Sequence, residues 1–136
     1  MANTNFENLH VYQLAERLAD QVWGVVISWS PMVRDTVGKQ LIRAADSIGA
    51  NIAEGDGRGT FPENRRFVRI ARGSLNETQH WLRRAFKREL LNQKQVATLK
   101  PLVEELAPRL NAYLKSIGTT KRTSPTTDNR QPTTDN

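Results

Sequence analysis

The sequence predicts an all-α protein, an antiparallel up-down four-helix bundle followed by a disordered C-terminal tail. Three observations predict it. Apolar residues recur three and four apart in four successive segments, with no strand-like alternation. The joints between segments are short and marked by proline or glycine. After Gly118 no apolar side chain larger than a proline ring occurs. The 136 residues therefore divide into a bundle over 1–118 and a tail over 119–136, with room for one domain of ordinary size.

The first helix is expected from about Phe6 to Ser28, with Leu14, Leu18, Val22, Val25 and Val26 on one face. It ends at Ser30-Pro31, because proline disfavours helix in the residue before it. The second runs from Pro31 to about Glu54 along Val37, Leu41, Ala44, Ala45, Ile48 and Ile52. Its many small residues, including Gly49 in mid-helix, predict close backbone packing that offsets the poor helix propensity of glycine. Gly55-Asp-Gly57-Arg-Gly59 is expected to stop it.

The third helix opens at Thr60-Phe-Pro62-Glu63, an N-terminal signal of cap residue, early proline and early acid. It continues to about Leu90. The fourth spans about Gln93 to Ile117, with Val96, Leu99, Val103, Leu106, Leu110, Tyr113 and Ile117 spaced alternately three and four apart. Pro101 and Pro108 predict a kink or a separate first piece. In the tail, Pro-Thr-Thr-Asp-Asn occurs at 125–129 and again at 132–136, and nothing there offsets the entropy of ordering.

Composition excludes several chemistries. There is no cysteine, which removes disulfides, thiolate metal sites and a cysteine nucleophile. No apolar run approaches the roughly 20 residues of a membrane span, and the opening Met-Ala-Asn-Thr-Asn lacks the pattern of a secretion signal. A soluble cytoplasmic protein without a membrane partner is expected.

The net charge is +6, and its distribution matters more than its size. Residues 61–90 carry eight Lys/Arg against three Asp/Glu, whereas residues 1–60 carry five against seven. At about 100° per residue, Arg65, Arg66, Arg69, Arg72, Arg83, Arg84, Lys87 and Arg88 fall within an arc of roughly 160° on the third helix. Phe67, Val68, Ala71, Leu75, Leu82, Ala85 and Phe86 occupy the opposite arc. The result is a cationic ridge about 35 Å long, rich in the planar guanidinium that suits phosphate. These eight residues are the candidate nucleic-acid contacts, with Arg58 in the glycine loop as a ninth; the alternative is a solvated face, or a purely structural oligomeric interaction module whose basic face docks an acidic protein partner.

Catalytic patterns are weak. Glu7-Asn-Leu-His10 and Glu77-Thr-Gln-His80 have the spacing of di-metal carboxylate bundles. Their positions along helices running the same way differ by about 20 Å, too far to share a metal cluster. The glycine loop follows a helix and lacks dinucleotide or P-loop spacing. Arg43, Asp46, Asn51, Glu54, Ser74 and Glu77 are expected to form a polar network between helices, and the three tryptophans to be core or interface anchors. No catalytic residue, cofactor or metal ligand is assigned, and no enzyme activity is expected.

Two stretches resemble a known family. The segment from Gln40 to Arg58, carrying Arg43, Ser47, Asn51, Glu54, Gly55 and Gly57, resembles the signature of four-helix-bundle proteins encoded in 23S ribosomal RNA intervening sequences. Arg69-Ile-Ala71-Arg-Gly73-Ser74-Leu-Asn-Glu77 looks like its second signature, and Phe6 to Ala15 fits the family's usual start. The family is similar to the accessory variability determinant of diversity-generating retroelements. That likeness implies a ring-shaped homopentamer, a nucleic-acid-binding basic surface and a reverse-transcriptase partner, with the two signatures as packing and assembly positions.

Overall fold

The computed structural model describes residues 6–119; the repetitive tail lies outside the described residues. They form four long helices and, among the described residues, no strand. A single 3₁₀ turn, Phe6–Asn8, precedes α1 (His10–Val26). The expected start at Phe6 is therefore broken at Leu9, whose backbone is extended and whose side chain is buried.

The second helix, α2, begins at Pro31–Val33, widens into a π-turn at Arg34–Gly38 and continues as Lys39–Asp56. A Cβ on Gly38 would lie 2.6 Å from Val26 Cγ1, so only glycine lets this segment close onto the end of α1. The helix does not stop at Gly55. It runs one residue further to Asp56, and Gly57 caps it by donating its N–H to the Ala53 and Glu54 carbonyls.

The third helix, α3 (Phe61–Lys87), starts where the cap signal placed it. The Thr60 hydroxyl accepts the Glu63 N–H at 3.3 Å, with Pro62 in the first turn. The fourth, α4 (Gln93–Ser116), opens with a capping box in which Asn92 and Gln95 satisfy each other's backbone N–H groups at 2.7 and 2.9 Å. It passes through Pro101 and Pro108 as one helix. Both prolines are exposed, so the carbonyls they leave unpaired face water.

Contacts between named residues fix how neighbouring helices run. Ser47 meets Ser74, and Gly55 meets Asn64 and Phe67, so α2 and α3 run in opposite directions. Arg65 reaches Ile117 and Arg72 reaches Asn111, the same relation between α3 and α4. Gly38 lies against Val26, and Gly49 against Tyr12 and Ala15, which does the same for α1 and α2. The core joins Leu14, Leu18, Leu41, Ile48, Ile52, Leu75, Leu106 and Leu110, all fully buried or nearly so. No helix among the described residues is long and apolar enough to cross a membrane.

Candidate nucleic-acid interface

The buried stripe of α3 differs from the one drawn by periodicity. Val68, Ala71, Leu75 and Ala85 are buried as expected, while Phe67 and Leu82 are only half-buried. Phe86, placed on the packing arc by its angle, is 54% exposed. It stands in the last turn of α3, where no following turn continues the packed face. Asn64, Ser74 and Thr78 are buried in the stripe instead. Thr78 Oγ1 donates to the Ser74 carbonyl at 2.8 Å, which removes the penalty of a buried hydroxyl.

The nine candidate cations fall into two groups. Four of them are tied down by the protein itself. Arg65 is half-buried and donates from Nη1 to the Ile117 carbonyl at 2.9 Å. Arg72 Nη1 donates to Asn111 Oδ1 at 3.3 Å. Arg58 pairs with Glu54 at 2.9 Å and Glu63 at 3.6 Å, and Arg66 pairs with Glu63 at 3.4 Å. Both of the latter guanidiniums also lie over the Phe67 ring, 5.2 and 4.5 Å from its centroid.

The other five, Arg69, Arg83, Arg84, Lys87 and Arg88, make no hydrogen bond or ion pair with another described residue. Arg84 is half-buried and the rest are exposed. Four of these five stand within the last turn and a half of α3. There they complement the negative end of the helix dipole and leave their donors directed to solvent.

The chain terminates α3 here in a specific way. Leu90 N–H bonds to the Ala85 carbonyl at 2.9 Å and Glu89 N–H to the Phe86 carbonyl at 3.0 Å, the two bonds of a Schellman cap. Glu89 occupies the left-handed position with φ of 61°. Arg88 is the cap residue, so its side chain leaves the regular helical register. Beyond the cap, Leu90 accepts the indole N–H of Trp29 at 3.1 Å, which pins this end to the α1–α2 joint.

The groove between α1 and α2 carries acidic residues. A cleft of about 300 Å³ between α1 and α2 is lined by Phe6, Tyr12, Glu16, Asp20, Asp46 and the small residues Ala15, Ala19, Gly49, Ala50 and Ala53. Partial burial and the nearby Asp20 raise the Asp46 carboxyl above its ordinary value. Burial, then Glu16 and Glu7, raise the Tyr12 hydroxyl similarly.

The expected polar network is smaller than drawn. Ser74 Oγ donates to Ser47 Oγ at 2.9 Å, and Asn51 Nδ2 donates to the Ser47 hydroxyl and carbonyl at 2.9 and 2.8 Å. Arg43, Asp46 and Glu77 are exposed and line an open cleft beside it, and Glu54 turns to Arg58. The histidines of the two Glu-x-x-His motifs lie apart: His10 Nε2 is 3.4 Å from Glu105, and exposed His80 lies edge-on to Trp81. Trp29 and Trp81 are half-buried, but Trp23 is 55% exposed, so it is no core anchor.

A family model for the 23S rRNA-intervening sequence protein matches residues 7–112. The chain belongs to that family. A crystal structure described as a protein of unknown function from the S23 ribosomal protein family of Bacteroides thetaiotaomicron is similar in fold. Its TM-score is 0.68 at 22% identity, over 77% of this chain and 98% of that one. No curated protein sequence matches this intervening-sequence family member. Both signature stretches and the whole of α3 lie inside the matched region, and the repetitive tail lies outside it.

Proposed function

We propose that this protein acts by binding nucleic acid rather than by catalysis, through the cationic end of α3. The observation that carries the reading is the set Arg83, Arg84, Lys87 and Arg88, four cations gathered there with no partner among the described residues, with Arg69 a fifth about 20 Å back along the helix. Clustered like charge costs self-repulsion unless a counter-ion or ligand relieves it. Phosphate oxygens are the ligand that matches guanidinium in both charge and geometry.

Assembly of several copies fits the same reading. Trp23, Ile27 and Met32 are 55%, 51% and 75% exposed and belong to the end of α1 and the start of α2. Exposed apolar side chains of this size support a contact between copies. A ring would multiply the cationic ends and steepen the salt dependence of binding.

The test is binding of nucleic-acid-free protein to structured RNA and to duplex DNA. The comparison protein carries Arg83→Glu, Arg84→Glu, Lys87→Glu and Arg88→Glu, with folding checked by circular dichroism. The reading expects binding that weakens steeply with salt and disappears in the variant. Equal binding by both proteins, or none by a folded wild type at low salt, contradicts it.

A further inference from the structure

Phe86 is out of place for an apolar residue of a packed helix. Its angle on α3 is that of buried Val68, yet it is 54% exposed. Its charged neighbour on the helix surface is Arg83, one turn back. The Schellman cap holds the backbone under it, because the Phe86 carbonyl accepts the Glu89 N–H at 3.0 Å. An exposed aromatic ring thus stands at the same end of α3 as four cations that have no partner among the described residues.

We infer that Phe86 is a stacking platform for an unpaired base, and that the ligand of this end of α3 is single-stranded nucleic acid. The inference rests on the nucleic-acid reading above and narrows it. An aromatic face beside a run of cations is the combination that holds single strands, whose backbone meets the charges while a base covers the ring. A duplex keeps its bases stacked inside and offers this ring only sugar and phosphate. A second copy bringing the same face is opposed by Arg83, Arg84, Lys87 and Arg88 meeting their own counterparts, since a two-fold contact is self-complementary. Each base stacked on an aromatic ring strengthens binding tolerantly of sequence, so the site selects strandedness before base identity.

The experiment titrates the full chain with oligo(U), oligo(dT) and a duplex of equal length by fluorescence anisotropy, with mass followed by light scattering. Phe86→Ala is expected to weaken both single strands about ten- to hundredfold and the duplex less than about twofold. The slope of affinity against salt is expected to be unchanged, because no charge is removed. Phe86→Tyr, which keeps the ring, is expected to restore binding, and the oligo(U) to oligo(dT) ratio reports whether RNA or DNA is preferred.

Unchanged single-strand affinity in Phe86→Ala overturns the stacking role. If the quadruple Glu variant still abolishes binding, the phosphate-binding reading survives that result. A wild type that binds none of the three probes removes both readings. A Phe86→Ala protein that loses mass, with its affinity per copy unchanged, makes the ring an assembly contact and also overturns the inference.

Discussion

Arg65 spans from the second turn of α3 to the cap residue just after α4, donating its Nη1 hydrogen to the Ile117 carbonyl at 2.9 Å. The contact satisfies one of the carbonyls that every helix leaves unpaired at its C-terminus. It also takes one arginine out of the cationic ridge. Gly118, with φ of 79°, gives the guanidinium its room, since a Cβ there would lie 2.7 Å from Nη1. Arg65→Met is expected to cost about 1–2 kcal/mol, the range for a charged hydrogen bond that is part-exposed. Thermal melting checks the cost. Nucleic-acid affinity, measured where the variant is folded, is expected to be nearly unchanged.

The left-handed residue after α3 supplies a second prediction. Glu89 adopts φ of 61°, where a side chain costs about 1 kcal/mol relative to glycine. It also places an acid beside four cations and at the negative end of a helix. Glu89→Gly is therefore expected to raise the melting temperature by a few degrees and to tighten polyanion binding. A lower melting temperature with weaker binding contradicts both halves of the account.

Two glycines on facing helices have opposite expectations. A Cβ on Gly55 would lie 2.6 Å from Asn64 Oδ1 and 3.0 Å from the Asn64 carbonyl oxygen. Since backbone cannot step aside cheaply, Gly55→Ala is expected to destabilise by about 1–3 kcal/mol. Gly73, exposed in mid-α3, has nothing within 4 Å of a Cβ. Gly73→Ala is expected to stabilise by about 0.5–1 kcal/mol. Denaturant melts of the two variants, read as opposite shifts of midpoint, check the pair.

These contrasts show where sequence pattern was informative. The stripes Leu14-Leu18-Val22 and Leu99-Val103-Leu106-Leu110 are buried because helical periodicity alone decides which face is apolar. The Thr60 cap was readable for the same local reason. Burial of Asn64 was not, because it depends on the approach of Gly55 from another helix. The split of the cationic ridge was hidden likewise. An angle on α3 places Arg65 and Arg72 on the charged side, but not the Ile117 carbonyl or Asn111 of α4 that engage them. Phe86 was misplaced because periodicity carries no information about where the neighbouring helices end.

The acidic cleft gives the molecule a pH signature. Burial and Asp20 raise the Asp46 carboxyl above its ordinary value of 3.8, so the folded state holds that proton more tightly than the unfolded chain. Stability from this group is therefore greatest in acid and declines as pH rises through the raised value. Asp46→Asn removes the decline. The melting temperature of the variant relative to wild type is expected to increase from about pH 3 to about pH 6. A difference that stays constant or shrinks over that range reverses the assignment.

The five cations with no partner among the described residues, and not all nine candidates, are the ones expected to meet phosphate. The most direct measurement is the slope of log affinity against log salt for a single-stranded oligonucleotide. Wild type is compared with one variant carrying Gln at Arg69, Arg83, Arg84, Lys87 and Arg88, and another carrying Gln at Arg58, Arg66 and Arg72. Each phosphate contact on a single strand contributes about 0.7 to the slope. The account predicts that the first variant loses roughly 3 units of slope with most of the affinity, and the second less than about 1 unit. Equal losses in the two variants, or a loss confined to the second, would contradict it.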